Sequence, residues 1–340
     1  MLFEFVNMGK LLKIVPPYIH PGHLNFKYPA FEGLSTCGLQ TAKSHFPWKI
    51  LHHWAFIYEI PQIYVDKRTA VLMFVEPVSV TFDTFPYYAT HEVIPFIWDC
   101  WPCYFDKMEA WFNRHKTRTA IFTSRMEMEE MQKRCPQVKM LWCPEAVEVS
   151  NYKKGKLLKD RCINLLEFGR SNERVLGKLT IENHVCTYLD GKFIYSNEEL
   201  YEVMGEAKIT VCLPKSMTHP DMAQGIETLT QRYWEAMLTR MVIVGHAPKE
   251  LIDICGYNPV LELPDDKSLI NTFILDILND IEKYQDLVDL NSQTALEKGI
   301  WSIRMKDVVE WLDNIGYSIK QRNLFYGKTK LALHSTPDMR

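Results

Sequence analysis

The sequence alternates short apolar runs with polar segments of helical period, and it does so twice. Apolar runs occupy residues 70–76, 87–96, 119–123 and 139–143, and again 163–168, 208–213, 241–245 and 259–263. Buried strands that alternate with helices are typical of parallel βαβ units. A polar stretch at residues 149–156 interrupts the pattern and favours a domain boundary there. The sequence therefore predicts an α/β protein with two domains.

The length of the chain agrees with two domains, and its net charge argues against one class of partner. The chain has 340 residues, which exceeds the usual single-domain range, so each half is long enough to bury its own core. We expect a first domain at residues 1–150, a second at 157–315, and a tail at 316–340 that packs back across both. A formal net charge of −3 argues against a nucleic-acid partner held by charge.

The cysteine pattern and hydropathy bear on the compartment. Nine cysteines are spaced irregularly and no secretory signal pattern opens the sequence, which predicts a cytoplasmic protein. No apolar run approaches the roughly 20 residues of a membrane helix. Residues 46–54 and 98–118 mix aromatic and basic side chains, which leaves open a peripheral contact of the first domain with the inner face of the membrane.

Two glutamates in the second half form the most informative motif. Glu227 and Glu235 have seven residues between them and lie between the apolar runs 208–213 and 241–245. A helix that starts near Thr230 would turn the second carboxylate only about 80° from the first over roughly 12 Å. Both carboxylates could then line one wall of an elongated cleft and hold the two ends of a ligand.

A glycine and several cations follow the apolar run 163–168. Gly169 and Arg170 come first, and Arg174 and Lys178 follow within eight residues. Backbone amides and guanidinium groups at a strand-to-helix corner suit phosphate oxygens. This corner is the predicted phosphate site, although an exposed turn with solvated charges would give the same pattern.

Together these segments resemble the C-terminal half of retaining GT-B glycosyltransferases, family 4 and its relatives, which carry a Glu-x7-Glu motif. The resemblance covers residues 160–265 and extends loosely to the first half. It implies two Rossmann-like domains that face each other across a deep cleft. It also implies a sugar transfer with retention from a nucleoside diphosphate sugar to a hydroxyl acceptor, a carbohydrate or lipid-linked one, in polysaccharide or glycolipid biosynthesis.

The resemblance also implies a role for individual residues. Glu227 would contact the donor sugar, Glu235 the ribose, and His91 would reach the sugar from the first domain, after a strand. Arg170 and Lys178, with Arg174 as an alternative, would hold the diphosphate. The amides of Thr228, Leu229 and Thr230 would cap it at a helix N-terminus. Gly33 and Gly38 would belong to an acceptor-side loop.

We expect no cofactor and no metal ion in the transfer, because fixed cations can stabilise the diphosphate leaving group. The sequence also lacks the Asp-x-Asp near a strand end that metal-dependent sugar transferases use.

Two alternatives stay open at the level of sequence. Cys100 and Cys103 form a Cys-x-x-Cys pair that resembles a thiol-disulfide oxidoreductase site locally. Zinc binding at this pair would need two further ligands with matching spacing. The second alternative is a noncatalytic module that binds a nucleotide sugar or a partner.

Overall fold

A computed structural model describes residues 10–17, 27–42, 68–85, 87–169, 172–189, 192–193 and 195–319. Two parallel sheets, each flanked by helices, form two α/β domains. This confirms the fold class that the alternation of the sequence predicts.

The first sheet is built almost entirely from the first half of the chain. Its strand order is β14-β1-β3-β4-β5-β6, with β2 beside β1, and all its pairs are parallel. Its strands are β1 (Lys10–Ile14), β2 (Gln40–Thr41), β3 (Thr69–Val75), β4 (Glu92–Ile97), β5 (Thr119–Phe122), β6 (Lys139–Trp142) and β14 (Tyr317–Ser318). The accompanying helices are α1 (Tyr28–Thr36), α2 (Val80–Thr84), α3 (Tyr87–Thr90), α4 (Phe105–Arg114) and α5 (Arg125–Arg134).

The second sheet has the order β13-β12-β11-β7-β8, and its pairs are also parallel. Its strands are β7 (Ile163–Glu167), β8 (His184–Cys186), β11 (Ala207–Cys212), β12 (Val242–Gly245) and β13 (Leu261–Glu262), and β9 (Tyr188–Leu189) pairs with β10 (Lys192–Phe193) as a separate hairpin. The helices in this half of the chain are α6 (Glu173–Leu176), α7 (Asn197–Glu206), α8 (Lys215–Thr218), α9 (Pro220–Ala223), α10 (Gln231–Leu238), α11 (Lys249–Cys255), α12 (Ile270–Asn279), α13 (Gln285–Lys298) and α14 (Trp301–Asn314).

The central strands are buried on both faces, as expected for parallel sheets covered by helices. All seven residues of β3 and all six of β4 are buried, and all of them except Thr69 and Glu92 are apolar. Apolar clusters lie on each face of each sheet, so each domain has its own core. These rigid sheets position the loops at their carboxyl ends.

The chain crosses between the domains twice, and the two crossings lie side by side. The amide of Val147 donates to the Gly299 carbonyl at 2.9 Å, and the amide of Trp301 donates back to Val147 at 3.1 Å. Helix α14 then packs on the first sheet through Trp301 and Met305, and β14 adds a strand beside β1. The predicted second domain, 157–315, includes α14, whereas the packing places this helix with the first sheet.

Two patterns of the first half fold differently from the sequence prediction. The apolar run at residues 87–96 is not one strand, because residues 87–90 form α3 and β4 begins only at Glu92. Of the two aromatic and basic mixtures, residues 46–54 lie outside the described residues. In the other, the large rings of Trp98, Trp111 and Phe112 are buried in the core. No helix in the described part of the chain is long and apolar enough to span a membrane.

Candidate functional site

The carboxyl ends of the two sheets face each other. Asp99 and Trp101, which follow β4, lie next to Lys215, which follows β11: the ammonium is 3.9 Å from the Asp99 carboxylate and 4.4 Å from the centre of the Trp101 ring. Arg125, which follows β5, pairs with Asp253 on α11. Ligands of open α/β sheets collect at such strand ends, so this interdomain cleft is the candidate site.

Glu227 belongs to a chain of three side chains on the wall that the second domain contributes. Its Oε1 lies 3.1 Å from His246 Nε2, and His246 Nδ1 lies 2.8 Å from Glu262 Oε2. The second Glu262 oxygen accepts the Ala247 amide at 3.0 Å. All three side chains are partly exposed. The imidazole thus fixes the Glu227 carboxylate while leaving it open to a ligand.

Gly245 determines where His246 lies. Its φ is +147°, and a Cβ at this position would lie 1.9 Å from the Cys212 carbonyl oxygen. The amide of His246 donates to the same carbonyl at 3.1 Å. Only glycine can bring the end of β12 this close to β11, and the turn directs His246 toward Glu227.

The loop before α10 is held by Glu250, which is 3% exposed. Its carboxylate accepts the Leu229 amide at 3.0 Å and also the amide of Arg125 from the first domain. Burial raises its pKa to about 7. The Leu229 side chain is buried in the core of the second domain, so its bulk does not project into the cleft. The Thr230 hydroxyl is buried and has no hydrogen-bond partner among the residues that the structure describes.

A first-domain carboxylate occupies the start of α10. Glu145 Oε2 accepts the amide of Gln231 at 2.7 Å, and the Trp234 indole donates to the Glu145 carbonyl at 2.8 Å. Removal from water raises the Glu145 pKa to about 8, and the nearby Asp99 carboxylate acts in the same direction. Of the predicted phosphate-binding amides, that of Leu229 already donates to a protein carboxylate, Glu250, and so does the next amide after the predicted ones, that of Gln231.

Glu235 lies inside α10 and is 8% exposed. Its Oε1 accepts the Tyr152 hydroxyl at 2.6 Å and the side-chain amide of Gln231 at 2.7 Å. Burial raises the Glu235 pKa, while these hydrogen bonds act against the shift. Tyr152 belongs to the first crossing and packs edge-on against Tyr201, with ring centroids 4.7 Å apart. Glu235 thus faces the crossing rather than bulk water.

Among the described residues, Arg232 packs against Gly169 at the predicted phosphate corner. Its Nη2 donates to the Leu213 carbonyl at 3.2 Å, and a Cβ on Gly169 would lie 3.3 Å from its Cδ. It therefore spans the carboxyl ends of β7 and β11. Arg174 and Lys178 are exposed, and Arg170 lies outside the described residues. Because Arg232 is half-buried and central, it is the best-placed described cation for a diphosphate.

Three predicted residues of the first domain lie away from this wall or serve other purposes. His91 precedes β4 and so lies at the amino end of that strand. The prediction that a strand ends at His91 is therefore wrong. Gly33 is buried inside α1, where a Cβ would lie 2.9 Å from Met305 of α14, so it serves helix packing and not a loop. Gly38 follows α1 with a φ of +96°.

The Cys-x-x-Cys pair lacks the features of a redox dithiol. Cys100 is fully buried, and its amide donates to Glu127 at 3.1 Å. Burial, with the Glu127 carboxylate next in effect, raises the pKa of the Cys100 thiol well above its usual value. A reactive thiolate needs the opposite shift, so the structure does not favour the oxidoreductase alternative.

Sequence reasoning found the two glutamates but missed four residues around them, namely Glu145, Tyr152, Arg232 and His246. A signal existed for two of them. Arg232 is a cation within the Glu-x7-Glu segment, and His246 directly follows the glycine that ends an apolar run. Glu145 and Tyr152 reach the site only through the crossing between domains, which no local spacing shows.

Comparisons with known proteins define the class of fold. No family model and no curated protein matches the sequence. Among solved structures, sucrose-phosphate synthase from Thermosynechococcus elongatus is similar with a TM-score of 0.58 at 11% identity, over 90% of this chain and 99% of that one. HepE from Anabaena, in complex with UDP and glucose, has a TM-score of 0.58 at 10% identity over 90% and 99%.

A third structure, AviGT4, a glycosyltransferase involved in avilamycin A biosynthesis, has a TM-score of 0.50 at 12% identity, over 90% of this chain and 98% of that one. At these identities the similarity establishes the fold and nothing finer. The chain has the GT-B fold, as its two facing parallel-sheet domains indicate.

Proposed function

We propose that this protein is a glycosyltransferase that moves a sugar from a nucleoside diphosphate sugar to a hydroxyl acceptor. The proposal rests on one chain segment: Glu227 is partly exposed beside His246, Arg232 is half-buried against Gly169, and Glu235 is buried against Tyr152. Two carboxylates with a half-buried guanidinium between them in sequence suit a ligand with hydroxyl groups at both ends and an anionic middle. A nucleoside diphosphate sugar has this distribution of groups.

In this proposal each residue acts on one part of the donor. Glu227, fixed by His246 at 3.1 Å, accepts hydrogen bonds from the sugar hydroxyls. Arg232 faces the diphosphate and stabilises the negative charge that grows on it as the glycosidic bond breaks. Glu235 accepts a ribose hydroxyl, which would take the place of the Tyr152 hydroxyl.

The N-terminus of α10 would contribute through its partial positive charge and the Thr230 hydroxyl, which has no hydrogen-bond partner within the described part of the chain. The Glu145 carboxylate beside it opposes a diphosphate when it is ionised. With a pKa of about 8, it is largely protonated at neutral pH, which reduces that repulsion.

The finer features of the reaction rest on the family resemblance. We infer retention of anomeric configuration, with front-face attack by the acceptor hydroxyl and donor phosphate as the proton acceptor, and a transfer that needs no metal ion. The acceptor, a carbohydrate or lipid-linked molecule of polysaccharide or glycolipid biosynthesis, would approach from the first domain. UDP is the first nucleotide to test, because the HepE structure contains UDP and glucose.

The test compares two conservative variants of the Glu-x7-Glu pair. Glu227→Gln should lower sugar transfer from UDP-, GDP- and ADP-sugars by roughly 100-fold or more while nucleoside diphosphate affinity stays within about threefold. Glu235→Gln should chiefly weaken nucleoside diphosphate binding, by about tenfold. Initial transfer rates and titration calorimetry measure the two effects.

Glu297→Gln is the matched control, because Glu297 is exposed on α13 and its carboxylate bonds only to Gln293 among the described contacts. Equal and small effects in all three variants would contradict the assigned roles. Nucleotide affinity without turnover on any acceptor or on water would instead support the noncatalytic binding alternative.

A further inference from the structure

Three side chains of metal-binding type meet on the edge of the second sheet, outside the proposed donor wall. Glu167 on β7 is paired in register with Cys186 on β8, and His184 lies two residues before Cys186. Neighbours in register on parallel strands, and residues two apart on one strand, project to the same face. Within the described part of the chain, this is the one group of at least three such residues whose ligand atoms all lie within 4.8 Å of one another.

The distances within the group fit one face of a zinc tetrahedron. Glu167 Oε1 is 3.0 Å from His184 Nε2, which in turn is 3.4 Å from Cys186 Sγ, and Oε1 and Sγ are 3.9 Å apart. Zinc bonds of about 2.0–2.1 Å to nitrogen and oxygen and about 2.3 Å to sulfur, at tetrahedral angles, give edges of roughly 3.3–3.6 Å. Shifts of a few tenths of an ångström would therefore complete the geometry.

The carboxylate is also oriented as a ligand would be. The side-chain amide of Asn172 donates to Glu167 Oε2 at 3.1 Å, and Asn172 is only 2% exposed. This buried hydrogen bond occupies one carboxylate oxygen and leaves Oε1 turned toward the imidazole and the thiol. Hydrogen bonds of this kind, from a neighbouring residue to the ligand side chain, fix the orientation of metal-binding carboxylates in proteins.

Burial leaves room for a fourth ligand. The side chains of Glu167 and His184 are 13% and 20% exposed, so the group is enclosed on the sheet side and open to water on the other. We propose that Glu167, His184 and Cys186 bind one Zn²⁺ ion, with water as the fourth ligand. A carboxylate, an imidazole and a thiolate are all ligands that zinc accepts.

The position suggests what the ion would do. Thr187, next to Cys186, accepts the Gly169 amide on its hydroxyl at 3.2 Å. Zinc that ties the edge strand β8 to the end of β7 would fix the corner at Gly169 against which Arg232 packs. The ion would stabilise this corner and takes no part in the proposed transfer, so the inference stands whether or not the transferase proposal holds.

The test measures metal binding directly. The purified full-length chain, stripped with a chelator, is titrated with Zn²⁺ alone and separately with Co²⁺, whose absorption reports a bound thiolate. We expect one equivalent of Zn²⁺, a cobalt–thiolate band, and a rise in melting temperature with Zn²⁺. Cys186→Ser should abolish the band and weaken Zn²⁺ binding on the order of 100-fold, and His184→Gln should weaken it similarly.

Cys103→Ser is the matched control, because Cys103 is an exposed free cysteine outside the group. It should bind Zn²⁺ as the unmodified chain does. Circular dichroism of each metal-free variant shows whether it is folded, and Glu167→Gln supplies a third variant if one is not. Absence of Zn²⁺ binding, or binding that all three ligand substitutions leave unchanged, would overturn the proposal.

Discussion

At the scale of single residues, Gly245 shows how one backbone position determines the geometry of the site. The end of β12 passes so close to the Cys212 carbonyl that no side chain fits, and His246 follows immediately. The contact between His246 and Glu227 therefore depends on a residue that has no side chain of its own. Backbone position and side-chain orientation are coupled here through one peptide unit.

Gly245→Ala tests this dependence. The new methyl group would overlap the Cys212 carbonyl, so we expect a loss of about 3 kcal/mol or more in the free energy of unfolding. Denaturant titration followed by circular dichroism measures it. Gly225→Ala is the control: Gly225 also has a positive φ, but a Cβ there meets nothing within 4 Å. Its cost should be only about 1–2 kcal/mol, and equal costs would show that close approach is not the reason for Gly245.

At the scale of elements, α10 provides Arg232 and Glu235, and a protein carboxylate already occupies its N-terminus. The amide of Gln231 donates to the Glu145 carboxylate, directly after the Thr228 to Thr230 amides that are proposed to face a diphosphate. Burial raises the Glu145 pKa to about 8. A raised carboxyl pKa means that the folded state holds the proton more tightly than the unfolded state, so this contribution to stability is fully present below about pH 4.5 and is lost as the pH rises toward 8.

Glu145→Gln should remove that pH dependence. The difference in unfolding free energy between the variant and the unmodified chain should be more favourable to the variant at pH 8.5 than at pH 5. We expect this change to be on the order of 2 kcal/mol, a value discounted because Glu145 is partly exposed. Chemical denaturation at several pH values measures the difference. Glu148→Gln is the control, since Glu148 lies on the same crossing and bonds only to Ser150 among the described contacts. Parallel pH profiles for Glu145→Gln and the unmodified chain would contradict this account.

The elements themselves were largely predictable. Mostly apolar runs marked β3, β7, β11 and β12, because helices cover both faces of the central strands in a parallel sheet. The prediction of one strand at residues 87–96 failed because a short helix and a strand joined at His91 have the same composition as one long strand. Gly33 is predicted to be a loop residue, but it lies in α1. The absence of a side chain there lets α14 approach.

At the scale of the whole molecule, the two domains are joined by more than the linker. Both crossings are hydrogen-bonded to each other at Val147, and Glu250 accepts amides from both domains. The sequence predicted the boundary near residue 150 from its polarity, but it could not show that α14 returns to the first sheet. An amphipathic helix reveals that it has an apolar face and not which sheet covers that face.

Some residues of the candidate site could also be predicted from the sequence, and others could not. The spacing of Glu227 and Glu235 along one chain segment was enough to single out both residues, although Glu235 faces Tyr152 of the crossing. Glu145, Tyr152 and His246 were not predictable, because their positions depend on the crossing of the domains and on a turn that only Gly245 permits. Contacts between distant segments depend on the assembled fold, and one sequence alone does not report them.

The central claim is that a nucleoside diphosphate lies against Arg232 between the carboxyl ends of β7 and β11. Calorimetric titration of UDP, and then GDP and ADP, into the unmodified chain, Arg232→Gln and Lys178→Gln tests it most directly. The account predicts binding of at least one nucleotide, a loss of affinity on the order of tenfold or more in Arg232→Gln, and little change in Lys178→Gln, whose side chain is exposed. No binding of any nucleotide, or an Arg232→Gln variant that binds as tightly as the unmodified chain, would contradict it.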